Sequence, residues 1–423
     1  MKLKTTSYSS PAAMLAIAAL FYLYEFLLRV APNVLFTEWV HDFNLDANQF
    51  GILSSSYYWS YAILQLPVGA LTDKWGPRRL LTFAIFLCAL STGLFALTKD
   101  FYLACVLRLC IGAGSAFAFI CCLKIIATWF KPHLFPMLTG LTLTIGTLGA
   151  VASVPVSYSL NYMSWQMLFY GLAAIGILMS GIAWLVVRDR APLEVIKSTP
   201  TQHVSAMTCL AHVVKSPINW LIAIYAFLVT APTDALGGTW GVAFLMHVHD
   251  ISKDQAALAV SCTFLGLACG SSFMGWLASK WGECQKPMFL SSLCASLVLI
   301  LLIFTPTLNT LLSALLFFLF GFWGVYVLSF IVARHLNDAH YVATAVGFVN
   351  MLSMFGSALL TYWIGAILNA LGEFHAASNE GMILTASDYQ WGLCLIPFFY
   401  IISAVLVVPW IKDKKRSYNH DVT

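Results

Sequence analysis

A dozen stretches of about twenty mostly apolar residues recur along this chain of 423 residues, and that recurrence constrains its fold more than any other feature. They lie at 12–36, 50–71, 79–98, 101–125, 136–160, 166–187, 217–245, 254–278, 287–306, 309–333, 342–370 and 389–411. A helix rises about 1.5 Å per residue and the hydrocarbon core of a bilayer is about 30 Å thick, so about 20 apolar residues span it. Inside that core every backbone N–H and C=O must be satisfied without water. The spacing therefore predicts an all-α polytopic membrane protein of 12 transmembrane helices. Most connections are short, which fits antiparallel neighbours. The exception, about 189–216, carries Pro192, Ser198, Thr199, Pro200 and Thr201 and separates two sets of six. The expected organisation is a six-helix bundle over 1–188, a cytoplasmic linker over 189–216 and a second bundle over 217–423.

Charge agrees. Only 9% of residues are charged, against about 25% in an ordinary soluble domain. That excludes a soluble enzyme, a disordered chain and a nucleic-acid binder, whose phosphate contacts need clustered Lys and Arg. The 11 cysteines form no CxxC pair and sit mostly in apolar runs, so they read as small buried hydrophobes rather than metal ligands. No cofactor or metal is expected. Lys2 and Lys4 before an apolar run resemble a secretory signal, but the repeat described below needs this segment as its first helix. No Asn-x-Ser/Thr sequon occurs, which fits a bacterial source.

Lys and Arg set orientation. With a cytoplasmic N-terminus, 17 of the 22 fall in inside segments: Lys2, Lys4, Lys74, Arg78, Arg79, Lys131, Arg188, Arg190, Lys197, Lys215, Lys280, Lys286, Arg334, Lys412, Lys414, Lys415 and Arg416. Outside loops hold Lys99 and Lys253. Both termini are therefore expected in the cytoplasm, with the protein in a bacterial inner membrane.

The two sets of six are related. GALTDKWG begins at Gly69 and GWLASKWG at Gly275, an offset of 206. The same offset aligns 44–49 with 250–255. Gly140 and Gly149 align with Gly347 and Gly356 at 207. Six helices per half give both halves the same membrane orientation, with a cleft between them that opens to either side.

The stretch Gly69-Ala-Leu-Thr-Asp73-Lys-Trp-Gly76-Pro-Arg78-Arg79 resembles the loop 2–3 signature of the Major Facilitator Superfamily, G-x-L-x-D-x-x-G-R-[KR], with Pro77 before the basic pair. Arg108-Leu-Cys-Ile-Gly112-Ala-Gly114 is similar to its helix 4 signature, and Trp129-Phe130 with Pro132 to its helix 4–5 turn. The resemblance covers the whole chain. It implies a small-molecule substrate carried by alternating access. It also implies that Asp73 pairs with nearby Arg beside the eleventh helix and gates the inner side. The alternative is that Asp73, Arg78 and Arg79 only anchor topology. Gly69 lets the second and eleventh helices approach closely, and Gly76 turns the chain. The second copy has Ser279 in place of Asp73, so this gate is one-sided. The fifth helix lacks the Gly-Pro step that marks many drug/proton antiporters, which favours a symporter or uniporter.

Five ionisable residues fall inside spans: Glu25, Arg29, Arg108, Lys124 and Asp234. Each costs about 2.5–3.5 kcal/mol at the bilayer centre on insertion scales, so each needs a partner or a wet cavity. Tyr22, Arg29 and Asn33 share a helix face, and Glu25 can pair with Arg29 at i,i+4. Either the pair neutralises itself so that the helix inserts, or Arg29 binds an anionic group while Glu25 holds it or accepts a proton. For Arg108 the resemblance implies an inward-facing role in coupling or binding, against a structural link between helices. Lys124 either lines the cleft or snorkels to the interface. Asp234 sits in Pro232-Thr-Asp-Ala-Leu-Gly237-Gly238-Thr-Trp240, which predicts a broken helix. Asp234 is then either a proton-coupling group or the N-cap of the resumed half. Organic-phosphate exchangers of the resembled family present a basic residue from each half, so Asp234 argues against a phosphate and suits a zwitterion or a monoanion carried with a proton. Tyr58, Tyr61, Gln65, Trp240, Trp323, Tyr326 and Asn350 are further cleft candidates, with packing as the alternative for each. His247-Val-His249 reads as a solvated outer loop.

The function expected is secondary transport of an organic anion or a zwitterion such as an amino acid or short peptide, by proton symport, from a monomer in the lipid bilayer. The alternatives are a uniporter of dipeptides or sugar acids, or a non-transporting sensor. A membrane enzyme is excluded by short loops and by the lack of any nucleophile–base set.

Overall fold

The computed structural model describes residues 10–189, 206–338, 341–376 and 384–411. Eleven helices are long and apolar enough to cross a membrane. They are α1 (Pro11–Val34), α3 (Pro77–Leu97), α4 (Phe101–Trp129), α5 (Met137–Ser159), α6 (Trp165–Val186), α7 (Pro217–His249), α8 (Lys253–Trp281), α9 (Gln285–Phe304), α10 (Thr310–Leu336), α11 (Val342–Glu373) and α12 (Ala386–Trp410). The twelfth, α2 (Ala47–Trp75), is 29 residues long but too polar to join them. Ser54, Ser55, Ser56, Ser60 and Gln65 lower its hydropathy, and this helix packs along α11 of the other half. Of the expected linker, residues 190–205 lie outside the described residues, and Ala206–Lys215 is a helix. Lys2, Lys4, Arg190, Lys197 and the basic cluster at 412–416 also lie outside them.

The duplication is written in the backbone. Four described residues have positive φ, and they form two pairs offset by 206: Asn44 (50°) with Asp250 (51°), and Gly76 (79°) with Gly282 (69°). The left-handed region favours Gly and tolerates Asn and Asp, so the turn residues of both copies follow one rule. Close packing repeats too. A Cβ at Gly112 would collide with the Tyr57 carbonyl where α4 crosses α2, and one at Gly321 with the Thr263 carbonyl where α10 crosses α8. Both α4 and α10 are interrupted midway, at Ala116–Phe117 and at Gly324–Tyr326.

The halves meet along α2–α11 and α5–α8. We call the end where α1 begins and α2 finishes the terminal face, and the opposite end the distal face. At the distal face the halves are tied together. Lys253 pairs with Glu38. Asp254 accepts hydrogen bonds from Ser157 (2.6 Å) and Asn161 (3.0 Å). The Trp240 ring packs on Phe50 at 5.2 Å and Phe36 at 6.1 Å. Helices α2 and α11 touch at Gly51 and Gly365. Toward the terminal face, Asn350 donates to Gln65 across the halves at 2.8 Å. About one turn further the helices have parted. A Cβ at Gly69 would meet nothing within 4 Å, and the same holds at Gly140 of α5 and Gly275 of α8. The close α2–α11 approach expected at Gly69 is therefore absent here; it occurs at the distal end instead, where Gly51 meets Gly365.

Candidate functional site

Helix α1 brings its charges to the centre of the bundle. Glu25 is fully buried and Arg29 is 5% exposed. One turn apart, they pair as expected: Arg29 Nη2 lies 3.2 and 3.3 Å from the two Glu25 oxygens. The Tyr57 hydroxyl donates to Glu25 Oε2 at 2.6 Å. The Arg29 guanidinium lies 4.2 Å from the Phe26 ring centre, 5.0 Å from Tyr61 and 5.8 Å from Tyr57. A flat, weakly hydrated cation is the one best suited to such an aromatic box.

Arg108 of α4 lies on the same tyrosine, 5.2 Å from the Tyr57 ring centre, and 5.7 Å from Trp39. It is 1% exposed. Its Nη1 donates to the Leu28 carbonyl at 2.8 Å. That carbonyl is free because its helical partner would be the N–H of residue 32, which is Pro32. The other two guanidinium nitrogens, Nε and Nη2, have no hydrogen-bond partner among the described residues.

Helix α7 is built differently. Pro232 and the Gly237-Gly238 pair do not break it, contrary to expectation. Thr233–Trp240 continues as a π-helix, with hydrogen bonds one residue longer than in an α-helix. Asp234 is therefore no N-cap; it lies inside a continuous helix. Carbonyls that this winding releases are taken by side chains. The Tyr400 hydroxyl donates to the Val229 carbonyl at 3.0 Å. Asn33 of the other half donates to the Gly237 carbonyl at 2.7 Å and accepts from the Val242 N–H at 2.9 Å. Gly237 and Val242 are five apart, so the Asn33 amide stands between an acceptor and a donor that would otherwise close a π-helical bond. Asp234 is 5% exposed, accepts from Ser357 of α11 at 2.7 Å, and lies within Coulombic range of Arg29.

The other expected residues divide. Tyr58 and Tyr61 stand in the centre: the Tyr58 hydroxyl faces Gly238 across the halves, and Tyr61 faces Arg29. Trp323 precedes the interruption of α10 and Tyr326 is its last residue, and Tyr326 is within Coulombic range of Arg29, Glu25 and Asp234. Gln65 and Asn350 bind each other. Tyr22 packs against Phe119, Phe26 and Gly146. Trp240 is buried in the distal closure, its Nε1 donating to the Thr361 carbonyl. Lys124 is half-buried on α4. Arg78 stays within its own half. Its backbone N–H donates to Asp189 at 2.8 Å, its Nε to the Trp184 carbonyl at 2.9 Å, and its guanidinium lies over the Trp184 ring. Arg79 is exposed, and the Asp73 side chain lies outside the described residues. His247 is not in a solvated loop: it is in the last turn of α7, stacked on Tyr389 at 5.0 Å. Tyr57 and Ser357 of this centre, and Asp189 beside Arg78, were missed. Tyr57 shares a face with Tyr61 at i,i+4, which was a usable signal. Ser357 and Asp189 carry no signal that distinguishes them from other Ser and Asp residues.

Comparison with known proteins agrees with this architecture. The sequence profile of the Major Facilitator Superfamily matches residues 14–361 and 235–421. A hexuronate transporter of Bacillus subtilis is 24% identical, over 79% of this chain and 83% of its own. A probable galactarate/D-glucarate transporter of Escherichia coli is 21% identical, over 82% and 85%. Among solved structures, a bacterial homolog of the human lysosomal transporter Spinster, inward-facing and unoccupied, superposes with a TM-score of 0.74 at 18% identity, over 94% of this chain and 96% of that one. With two related six-helix halves and a family profile that runs along nearly the whole chain, this protein belongs to the Major Facilitator Superfamily and is a secondary transporter.

Proposed function

We propose that the protein carries a small monoanionic sugar acid together with a proton. The observation that supports this most is the buried Arg29, whose hydrogen-bonded acidic partner is Glu25 of its own helix. Protonation of Glu25 weakens that pair and frees a guanidinium edge, which fits a substrate carboxylate in two parallel hydrogen bonds. Tyr57 stays on Glu25 in either state, since its hydroxyl can donate to the carboxylate or accept from the acid. Proton and anion then enter together, so the site stays close to neutral, as a low-dielectric setting demands. Tyr58, Gln65, Tyr326 and Asn350 would bond the hydroxyl groups. Asp234 faces the far end of the ligand and disfavours a second carboxylate there. The relatives are named for hexuronate and for galactarate and D-glucarate; by this argument the present chain prefers the monoacid. The basic bias of the terminal face makes it cytoplasmic, and the cleft is then open inward.

The opposed charges of Arg29 and Asp234 also favour a second reading, a zwitterion such as an amino acid or short peptide. Proteoliposomes decide between them. Labelled glucuronate should accumulate with an inward proton gradient and collapse with an uncoupler, while glucarate and dipeptides should not accumulate. Accumulation of dipeptides instead would establish the second reading, and failure of all three would sink both.

A further inference from the structure

Asp234 is a buried acid whose hydrogen-bond partner among the described residues is one hydroxyl, that of Ser357 on α11. That hydroxyl has two acceptors in reach: Asp234 Oδ2 at 2.7 Å, and the Ser353 carbonyl of its own helix at 3.1 Å. A serine carries one hydroxyl hydrogen, so it serves one acceptor at a time. The choice depends on the charge of Asp234. An ionised carboxylate accepts only, and draws the hydrogen across to α7. A protonated Asp234 can itself donate to Ser357 Oγ, and the serine hydrogen then turns to the Ser353 carbonyl. The added proton ends on the Asp234 carboxyl, and the Ser357 O–H bond rotates without breaking.

We propose that Ser357 is the positioning residue that sets the pH at which Asp234 takes up its proton, and that its hydroxyl carries the charge state of Asp234 onto α11. The proposal goes beyond the coupling assigned above to Glu25: it takes Asp234 as a second proton-binding group, ionised when it disfavours a second carboxylate. The other titratable groups within Coulombic range of Asp234 are Glu25 and Arg29 of α1, Tyr58 of α2, Tyr326 of α10 and Tyr400 of α12. None of them hydrogen-bonds Asp234 among the described residues, so Ser357 alone responds by direct contact. The path continues along one stripe of α11. The Ser353 hydroxyl donates to the Asn350 carbonyl at 2.8 Å, and the Asn350 side chain holds Gln65 of the other half. Intrahelical bonds of this kind from serine also bend helices. The proton on Asp234 is thus linked, through one rotor and two helical turns, to a hydrogen bond between the halves.

The test is a pH titration of the full chain in lipid by infrared difference spectroscopy, with Asp234→Asn subtracted to isolate the Asp234 carboxyl band. No ligand is needed. A hydrogen bond to a charged group is worth enough that Ser357→Ala should move the titration midpoint of that band to more alkaline pH by about one to two pH units. Ser357→Thr should restore the parent midpoint. Ser357→Cys, a weaker donor of similar size, gives an intermediate shift and replaces the alanine variant if that one does not fold. A band that titrates identically in the parent and in Ser357→Ala or Ser357→Cys overturns this proposal and leaves Asp234 as a proton site. If Asp234→Asn removes no titrating band, the reading of Asp234 fails, and this proposal fails with it.

Discussion

Helices α1 and α7 are repeat counterparts, yet they reach the centre of the bundle by opposite means. Helix α1 stays α-helical, and its charges are satisfied within its own half: Glu25 and Arg29 are one turn apart, Phe26 covers the cation, and Tyr57 of α2 donates to Glu25. Helix α7 has a single acid and a π-helical turn, and it borrows its partners from elsewhere: Ser357 from α11, Tyr400 from α12 and Asn33 from the other half. A helix satisfied within its own half can keep its arrangement while the halves move. One that depends on its neighbours must change when they do. Under the proposed function, α1 holds the ligand and α7 responds to the movement of the halves.

The largest test removes the ion pair of α1. Arg29→Ala leaves Glu25 buried without its cation, and breaking a buried pair on one side costs about 3–5 kcal/mol. Uptake should vanish and the thermal midpoint should fall. Adding Glu25→Gln should recover the stability and not the uptake. If Arg29→Ala proves as stable as the parent, α1 is not held by its pair and the contrast with α7 breaks.

A middle-sized effect is expected on α7. Asn33→Ala removes both bonds that the amide makes to the Gly237 carbonyl and the Val242 N–H, at about 1–3 kcal/mol for the groups left unmet. The distal closure should loosen. Spin labels at the exposed positions 41 and 250, in a background without native cysteines, should report a longer or broader distance. An unchanged distance would mean that Asn33 does not help hold the halves together.

The smallest effect concerns the turns after the two helices. In the C-terminal half His247 stacks on Tyr389 of α12. In the N-terminal half Asp42 ties to α6, accepting from Trp165 and Gln166 at 2.8 Å each, with His41 Nδ1 at 3.0 Å. The bonds from His41, Trp165 and Gln166 hold the Asp42 carboxyl below the ordinary aspartate range. A lowered folded value means the tie contributes fully above that range and is lost as pH falls through the lowered value. Asp42 is partly exposed, so the loss is small. Acid titration of tryptophan fluorescence should show a step that Asp42→Asn abolishes; the same step in both proteins would assign it elsewhere.

Much of this was legible in the residue order. Apolar length predicted the helices, and Asn44, Asp250, Gly76 and Gly282 marked the duplicated turns because backbone conformation depends on local chemistry. The Glu25–Arg29 pair followed from spacing alone. What was not legible depends on neighbours distant in sequence. Pro232 and two glycines look like a break until Asn33 and Tyr400 supply the missing bonds. The real interruption of α10 carries no proline; it lies at Gly324, where a Cβ would sit 2.7 Å from the Tyr400 hydroxyl. Tyr57 and Tyr58 are adjacent, and only the packed bundle decides which one lies between the two arginines.

The grip on Arg108 has a consequence for heredity. The atom that holds it is a main-chain oxygen, and every amino acid at position 28 presents the same one. Substitutions there would leave that contact silent. The instruction to leave the oxygen vacant is written four residues later, at Pro32, a side chain that does not itself hydrogen-bond the arginine. A mutational map of this transporter should therefore place the anchor of Arg108 at a residue that no list of its contacts would name.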